Sequence, residues 1–304
     1  MITFSRLGNK GKLGNQLFQI ASTMSLAEKF SHECSFPNWD YSKYFEKPLP
    51  VFKQNLNIDF ELLKEERYGF YDWNLEDKNY NIDGWLQSEK YFKLNLVKEL
   101  FQFEKIFDQE LCLKYKYLFK KKTILISVRR GDFVKHPFYY QLSHQFYLKS
   151  IISNFPDWKS RNLIFTSDDI NYCKYHFSFL KNSFFLENLS AIEQLALGSK
   201  CDDFVISNST FSWWIAWLGE QKETKIVRPI KNFRGSFAKH HNDFDYFPER
   251  WISFDDQDVM LESRYILFYL KGMIYDFLFE VKFQIRRVRR KLKRFNYIIP
   301  KKAI

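Results

Sequence analysis

Two adjacent arginines leave a run of buried-type residues and enter a glycine turn, Arg129-Arg130-Gly131-Asp132. Guanidinium groups stay charged and fork onto phosphate oxygens, so such a pair can neutralise a departing diphosphate. The same residues also suit an Arg–Asp ion pair that holds a turn. A second cluster is Thr166-Ser167-Asp168-Asp169. Its paired carboxylates can hold a metal, a ribose or a base, or cap the helix that follows. The third, Ser207-Asn208-Ser209-Thr210-Phe211-Ser212-Trp213-Trp214, reads as strand, hydroxyl-rich turn and helix. A helix start offers free N–H groups and partial positive charge, which suits an anion, although an ordinary capped helix has the same residues. The fourth is Gly11-Lys12-Leu13-Gly14-Asn15-Gln16. Glycines there let backbone approach a ligand, and the amides donate and accept. It has neither the GxGxxG spacing nor a GKS/T ending, so neither a dinucleotide fingerprint nor a P-loop is supported.

These clusters need elements to hold them. Ile2–Leu7 reads as a short strand, and Asn15–Phe30 has apolar residues at a helical period. Residues 35–60 read as loop, and 90–119 carry helical patterns. Thr123–Val128, Asn162–Thr166 and Phe204–Ser207 are β-branched apolar runs of the kind found in buried parallel strands, with Lys225–Val227 a fourth candidate. Helical patterns near 144–154, 169–176, 190–199 and 211–220 alternate with them. That alternation predicts an α/β fold with a parallel sheet. Each of the first three clusters then sits at the carboxyl end of a strand, where open α/β sheets bind ligands. A composition change near 120 divides the chain into 1–120, 121–255 and a tail, 256–304.

Charge is uneven along the 304 residues. Arg264 to Ile304 holds twelve basic residues against Asp276 and Glu280, or +10 of the net +11, which leaves +1 for residues 1–263. A near-neutral body argues against a nucleic-acid-binding surface, which would mix basic and aromatic residues throughout. Aromatics make up 20% of the chain, enough for a packed core and for a stacking or sugar-binding surface. A purely glycan-binding module would leave the arginine pair and the anion-site helix without a purpose. Cys34, Cys112, Cys173 and Cys201 form no CxxC, which fits a reducing compartment and offers no zinc site. The chain opens directly on strand-like Ile2-Thr3-Phe4, so no secretory signal is expected. No apolar stretch of about 18 residues suggests a bilayer-spanning helix.

Gly14-Asn15-Gln16-Leu17-Phe18-Gln19, Arg129-Arg130-Gly131-Asp132, Ser167-Asp168-Asp169 and Asn208-Ser209-Thr210-Phe211-Ser212-Trp213-Trp214 occur in this order. Together they resemble the signature blocks of the bacterial-type α-1,2-fucosyltransferases that use GDP-fucose, glycosyltransferase family 11. The resemblance covers about residues 7–220. It implies a glycosyltransferase B type fold, two Rossmann-like domains facing a cleft; the charge pattern adds a basic C-terminal helical tail. Residues 1–120 would form the acceptor-side domain and 121–255 the GDP-sugar-binding one.

The implied reaction is inverting transfer of L-fucose from GDP-β-L-fucose to the 2-hydroxyl of a galactose-containing glycan. By similarity, Arg129 grips the diphosphate while Arg130 and Asp132 shape the site, and Asp132 is also a candidate base. Ser209, Thr210, Phe211 and Ser212 hold phosphates. Asp168 or Asp169 organises the nucleotide or the arginine loop, Asn15 and Gln16 face the cleft, and Glu193 accepts from guanine. No cofactor and no metal is expected, because arginines and a helix start can stabilise the leaving diphosphate electrostatically. The same machinery would serve another metal-independent GDP-sugar transferase with a different hydroxyl or a protein acceptor. One departure stands out: the family block usually reads His-x-Arg-Arg-Gly-Asp, and this chain has Ser127 in the His place, a residue that cannot titrate near neutral pH.

The expected location is cytoplasmic. The apolar and basic tail predicts peripheral contact of 264–304 with an anionic membrane, close to a lipid-linked glycan.

Overall fold

The computed structural model describes residues 1–52 and 59–298. Residues 53–58, part of the expected 35–60 loop, and the end of the tail with Lys301 and Lys302 lie outside that range. In chain order the elements are β1 (Ile2–Thr3), α1 (Leu13–Lys29), β2 (Glu61–Lys64), β3 (Tyr80–Asp83), α2 (Leu94–Leu100) and α3 (Lys105–Lys114). Then come β4 (Thr123–Val128), α4 (His144–Asn154), β5 (Asn162–Ser167), α5 (Ile170–Phe177), β6 (Ser183–Phe185) and α6 (Ala191–Gly198). The last are β7 (Asp203–Ile206), α7 (Thr210–Gly219), β8 (Ile226–Pro229), α8 (Gly235–His240), β9 (Ile252–Phe254) and α9 (Ile266–Ile298). Met1–Asp258 forms one compact unit and Val259–Ile304 a second.

The first unit holds two parallel sheets. One has three strands, in the order β1-β3-β2. The other has six, in the order β6-β5-β4-β7-β8-β9. Counted from β4, the large sheet runs 3-2-1-4-5-6, the doubly wound order, and its connections change direction between β4 and β7. The six residues of β4 are all buried, as a central strand of a two-sided sheet requires. The sequence pattern located β4, β5, β7 and β8. It did not show β2, β3, β6 and β9, which are three or four residues long and mostly not buried along their length. The first strand is shorter than Ile2–Leu7, because Phe4 to Lys10 turn back in successive backbone hydrogen bonds.

Register decides what the strand ends bring together. Ser127 on β4 pairs with Thr166 on β5 and Ile206 on β7, so Arg129, Asp168 and Ser207 leave the sheet side by side. Helix α7 is nearly all apolar, with Trp213, Trp214 and Trp217 buried. Phe18 of α1 packs 4.6 Å from Trp213 and 5.1 Å from Trp214, and Phe92 stacks 5.4 Å from Trp214. Each such side chain contributes roughly 1.5–3 kcal/mol by burial. This aromatic seam fixes α1 of the N-terminal region against α7.

Candidate active site

A cavity of about 720 Å³ opens at the carboxyl end of the large sheet, at the β4/β7 switch point. Its walls come from the turn before α1, the ends of β4, β5 and β7, the start of α7, and loops carrying Tyr41, Trp85, Tyr139 and Asn232.

Arg129 and Asp132 line it. The Arg129 guanidinium is bonded to the Asp132 carboxylate and lies 3.2 Å from Asp168 Oδ2. Asp168 Oδ1 accepts from the Arg130 backbone N–H at 2.9 Å. One carboxylate therefore fixes both the arginine and its turn, and a Cβ on Gly131 would overlap it. The Asp132 side chain is 59% exposed, so solvent screens its ion pair, which is worth about 0–1 kcal/mol.

The hydroxyl-rich turn is close by. Ser127 Oγ and Ser207 Oγ each lie 2.7 Å from Ser212 Oγ, a buried row of three hydroxyls. The Ser127 hydroxyl thus joins the start of α7 instead of presenting a titrating ring. Ser209 caps α7 by accepting from the Phe211 N–H at 3.2 Å. Asn208 Nδ2 donates to the Tyr140 and Asn232 carbonyls at 3.0 and 2.8 Å and closes the loops over the strand end. Lys12, which also lines the cavity, occupies the N-cap of α1 without a side-chain cap bond. Two helix N-termini therefore face one space, each with partial positive charge.

Nine of the twelve residues expected at the site line this cavity: Arg129, Asp132, Asn15, Gln16, Asp168, Ser209, Thr210, Phe211 and Ser212. Gln16 is a brace within the wall, donating to the Gly11 carbonyl at 3.1 Å and accepting from Trp39 Nε1 at 2.8 Å. Asn15 Oδ1 accepts from Gln87 Nε2 at 2.8 Å.

Three residues do not line the cavity. Arg130 is buried, with its guanidinium 4.0 Å from the Tyr172 ring centre. Asp169 caps α5, accepting from the Tyr172 N–H at 3.1 Å. Glu193 sits at the third position of α6 and closes a capping box with Ser190. The spacing Ser190-x-x-Glu193 carries that signal in the sequence. The next residue, Gln194, faces the cavity instead.

Trp85, Gln87, Tyr139, Asn232 and Tyr246 also line it without any sequence signal. Burial pushes the Tyr139 and Tyr246 phenols above their ordinary value, so both remain neutral hydrogen-bonding groups.

The family description that fits is glycosyl transferase family 11, whose model matches residues 4–254. The chain belongs to that family. Among individual proteins, it is 29% identical over 151 residues to the Escherichia coli O-antigen biosynthesis glycosyltransferase WbnK. That match takes in 47% of this chain and 46% of WbnK, so the chain spans about half the length of that relative. A Caenorhabditis elegans protein named as a galactoside 2-alpha-L-fucosyltransferase, svh-11, is 23% identical over 286 residues, 81% of this chain and 77% of that protein. The solved structure of a mutant of Arabidopsis thaliana FUT1 in complex with GDP superposes with a TM-score of 0.50 at 14% identity. It covers 85% of this family 11 chain and 77% of that one, a likeness of fold.

Proposed function

We propose that this family 11 protein transfers L-fucose from GDP-β-L-fucose to the 2-hydroxyl of a galactose-containing glycan, with inversion and without a metal ion. The observation that carries the reading is the convergence of Arg129 and the N-termini of α1 and α7 on one cavity at the switch point of the large sheet. In the reaction, the bond from the sugar's anomeric carbon to the β-phosphate oxygen breaks and the acceptor oxygen bonds to that carbon from the opposite face. Positive charge develops on the sugar and negative charge on the departing diphosphate. Arg129 would exchange Asp132 for that diphosphate, and the helix ends would share the charge, which is electrostatic stabilisation where charge develops. The acceptor proton leaves as the new bond forms, with the Asp132 carboxylate, freed from Arg129, as the candidate receiver. Asp168 would keep the arginine aimed.

The test is incubation with GDP-fucose and a panel of galactosyl oligosaccharides, with the linkage read by NMR and one arm in EDTA. A new α-1,2 linkage in both arms supports the reading. Absence of GDP binding by calorimetry overturns it. Loss of activity in EDTA with recovery on Mn²⁺ or Mg²⁺ overturns its metal-free form.

We also propose peripheral contact of the tail with the inner, anionic face of a membrane. Among the described residues, no helix is long and apolar enough to cross a bilayer. On α9, Leu270, Met273, Ile274, Phe277, Val281 and Val288 are exposed at helical spacing, and Lys271, Lys282 and Arg289 follow one edge of that stripe. An exposed apolar stripe beside a basic edge suits an in-plane helix on acidic lipid.

A further inference from the structure

Trp85 is an indole that the fold holds outward. It is 38% exposed and lines the cavity, while its neighbour Leu86 is fully buried. The Trp85 and Leu86 backbone N–H groups donate to the two oxygens of Glu65, at 2.6 and 3.1 Å. Leu86 has φ of +53°, a left-handed conformation that costs a branched residue energy. Gly84 has no room for a side chain, since a Cβ there would lie 2.7 Å from Glu65 Cβ. Lys10 Nζ stands 4.9 Å from the indole centre and is itself held by Asp83 at 2.6 Å.

A large apolar ring kept at a cavity wall on a strained, pinned loop is not explained by packing. The next residue but one, Gln87, ties the same loop to Asn15, and its Oε1 accepts from the Tyr68 hydroxyl at 2.8 Å. Tyr41 lines the same cavity. Arg129, Ser212 and the starts of α1 and α7 supply the anion-binding chemistry of this space, whereas the Trp85 and Tyr41 rings present aromatic surface to it. The Trp85–Tyr41 wall combines that aromatic surface with carboxamides.

We propose that Trp85 and Tyr41, with the Gln87–Asn15 carboxamide pair, form the acceptor subsite and take the pyranose that presents the attacking hydroxyl. This rests on the transferase reading above. A galactoside has one apolar face of C–H bonds and a rim of hydroxyls. The indole receives the face, and the carboxamides receive the rim. Trp85 then sets acceptor affinity, while Arg129 and α7 set donor affinity.

The test compares the full-length chain with Trp85→Ala and Trp85→Phe. It measures GDP affinity by calorimetry, slow hydrolysis of GDP-fucose without acceptor, and kcat and KM for lactose. Trp85→Ala should raise the KM for lactose at least tenfold and leave GDP affinity and hydrolysis within about twofold. Trp85→Phe should recover most of that loss and confirms that the variant chain folds. An unchanged KM for lactose in Trp85→Ala overturns the proposal, as does a matching loss of GDP affinity. If the wild-type chain binds no GDP, the transferase reading fails first and the subsite falls with it.

Discussion

Gly14 and Phe211 approach so closely that a Cβ on Gly14 would lie 2.5 Å from the Phe211 backbone nitrogen. The first turn of α1 therefore rests directly on the first turn of α7, although 197 residues separate them in sequence. Any side chain at position 14 must push against backbone, which cannot rotate away.

Gly14→Ala should accordingly cost about 1–3 kcal/mol of stability, as for overpacking of a close contact. GDP affinity should fall with it, because the two helix ends are forced apart. Urea denaturation and GDP calorimetry check this; wild-type values in both would show that the contact is slack.

Arg129→Ala should lower kcat/KM by roughly 10²–10³, on the order of 3–4 kcal/mol, as for a donor lost at a developing anion. Arg129→Lys should not restore it, since an ammonium cannot span Asp168 and a phosphate with a planar fork. Steady-state kinetics with GDP-fucose decides. Near wild-type kinetics in Arg129→Ala removes Arg129 from the centre of the reaction, and in Arg129→Lys shows that charge alone suffices there.

Burial pushes the Cys173 and Cys201 thiols from 9.0 up to about 12. Folding therefore favours their protonated form. Their contribution to stability is complete below pH 9 and is lost as pH rises towards 12. At pH 8.5 the native chain should leave both thiols unlabelled by iodoacetamide, while the urea-unfolded chain reacts at both. Peptide mass spectrometry reads the result, and fast labelling of either thiol in the native state contradicts it.

The full-length chain should co-sediment with vesicles containing phosphatidylglycerol, and less so with rising salt. Ile274→Glu with Phe277→Glu should release it without changing GDP affinity. Equal sedimentation of the double variant, or none by the wild-type chain, argues against membrane contact by α9.

Several features were legible in the sequence because they are local. The β-branched run Thr123–Val128 specifies a buried strand, and the apolar, tryptophan-rich run after Ser209 specifies a buried helix with a capped start. The order of the motif blocks carries the family resemblance. Glu193 shows the limit of reading residues one at a time. A carboxylate three residues after Ser190 is a helix cap before it is a ligand. Arg130 shows another, since two neighbouring arginines at a strand end leave in different directions, one to the cavity and one to the Tyr172 ring.

The amino-acid sequence by itself determined four strands of the large sheet, β4, β5, β7 and β8, the helices that alternate with them, the charge of the tail and the chemical character of each cluster. Those depend on residue type and on spacings of two to four positions. Tertiary structure alone decided which clusters share a space. The strand order 3-2-1-4-5-6 and the pairing of Ser127 with Thr166 and Ile206 set Arg129 beside Asp168 and Ser207. The contact of Gly14 with Phe211 brought in the second helix end, and the Glu65 carboxylate pinned the backbone of the Trp85 loop. Each of these is a contact between residues far apart along the chain, and no local pattern encodes such a contact.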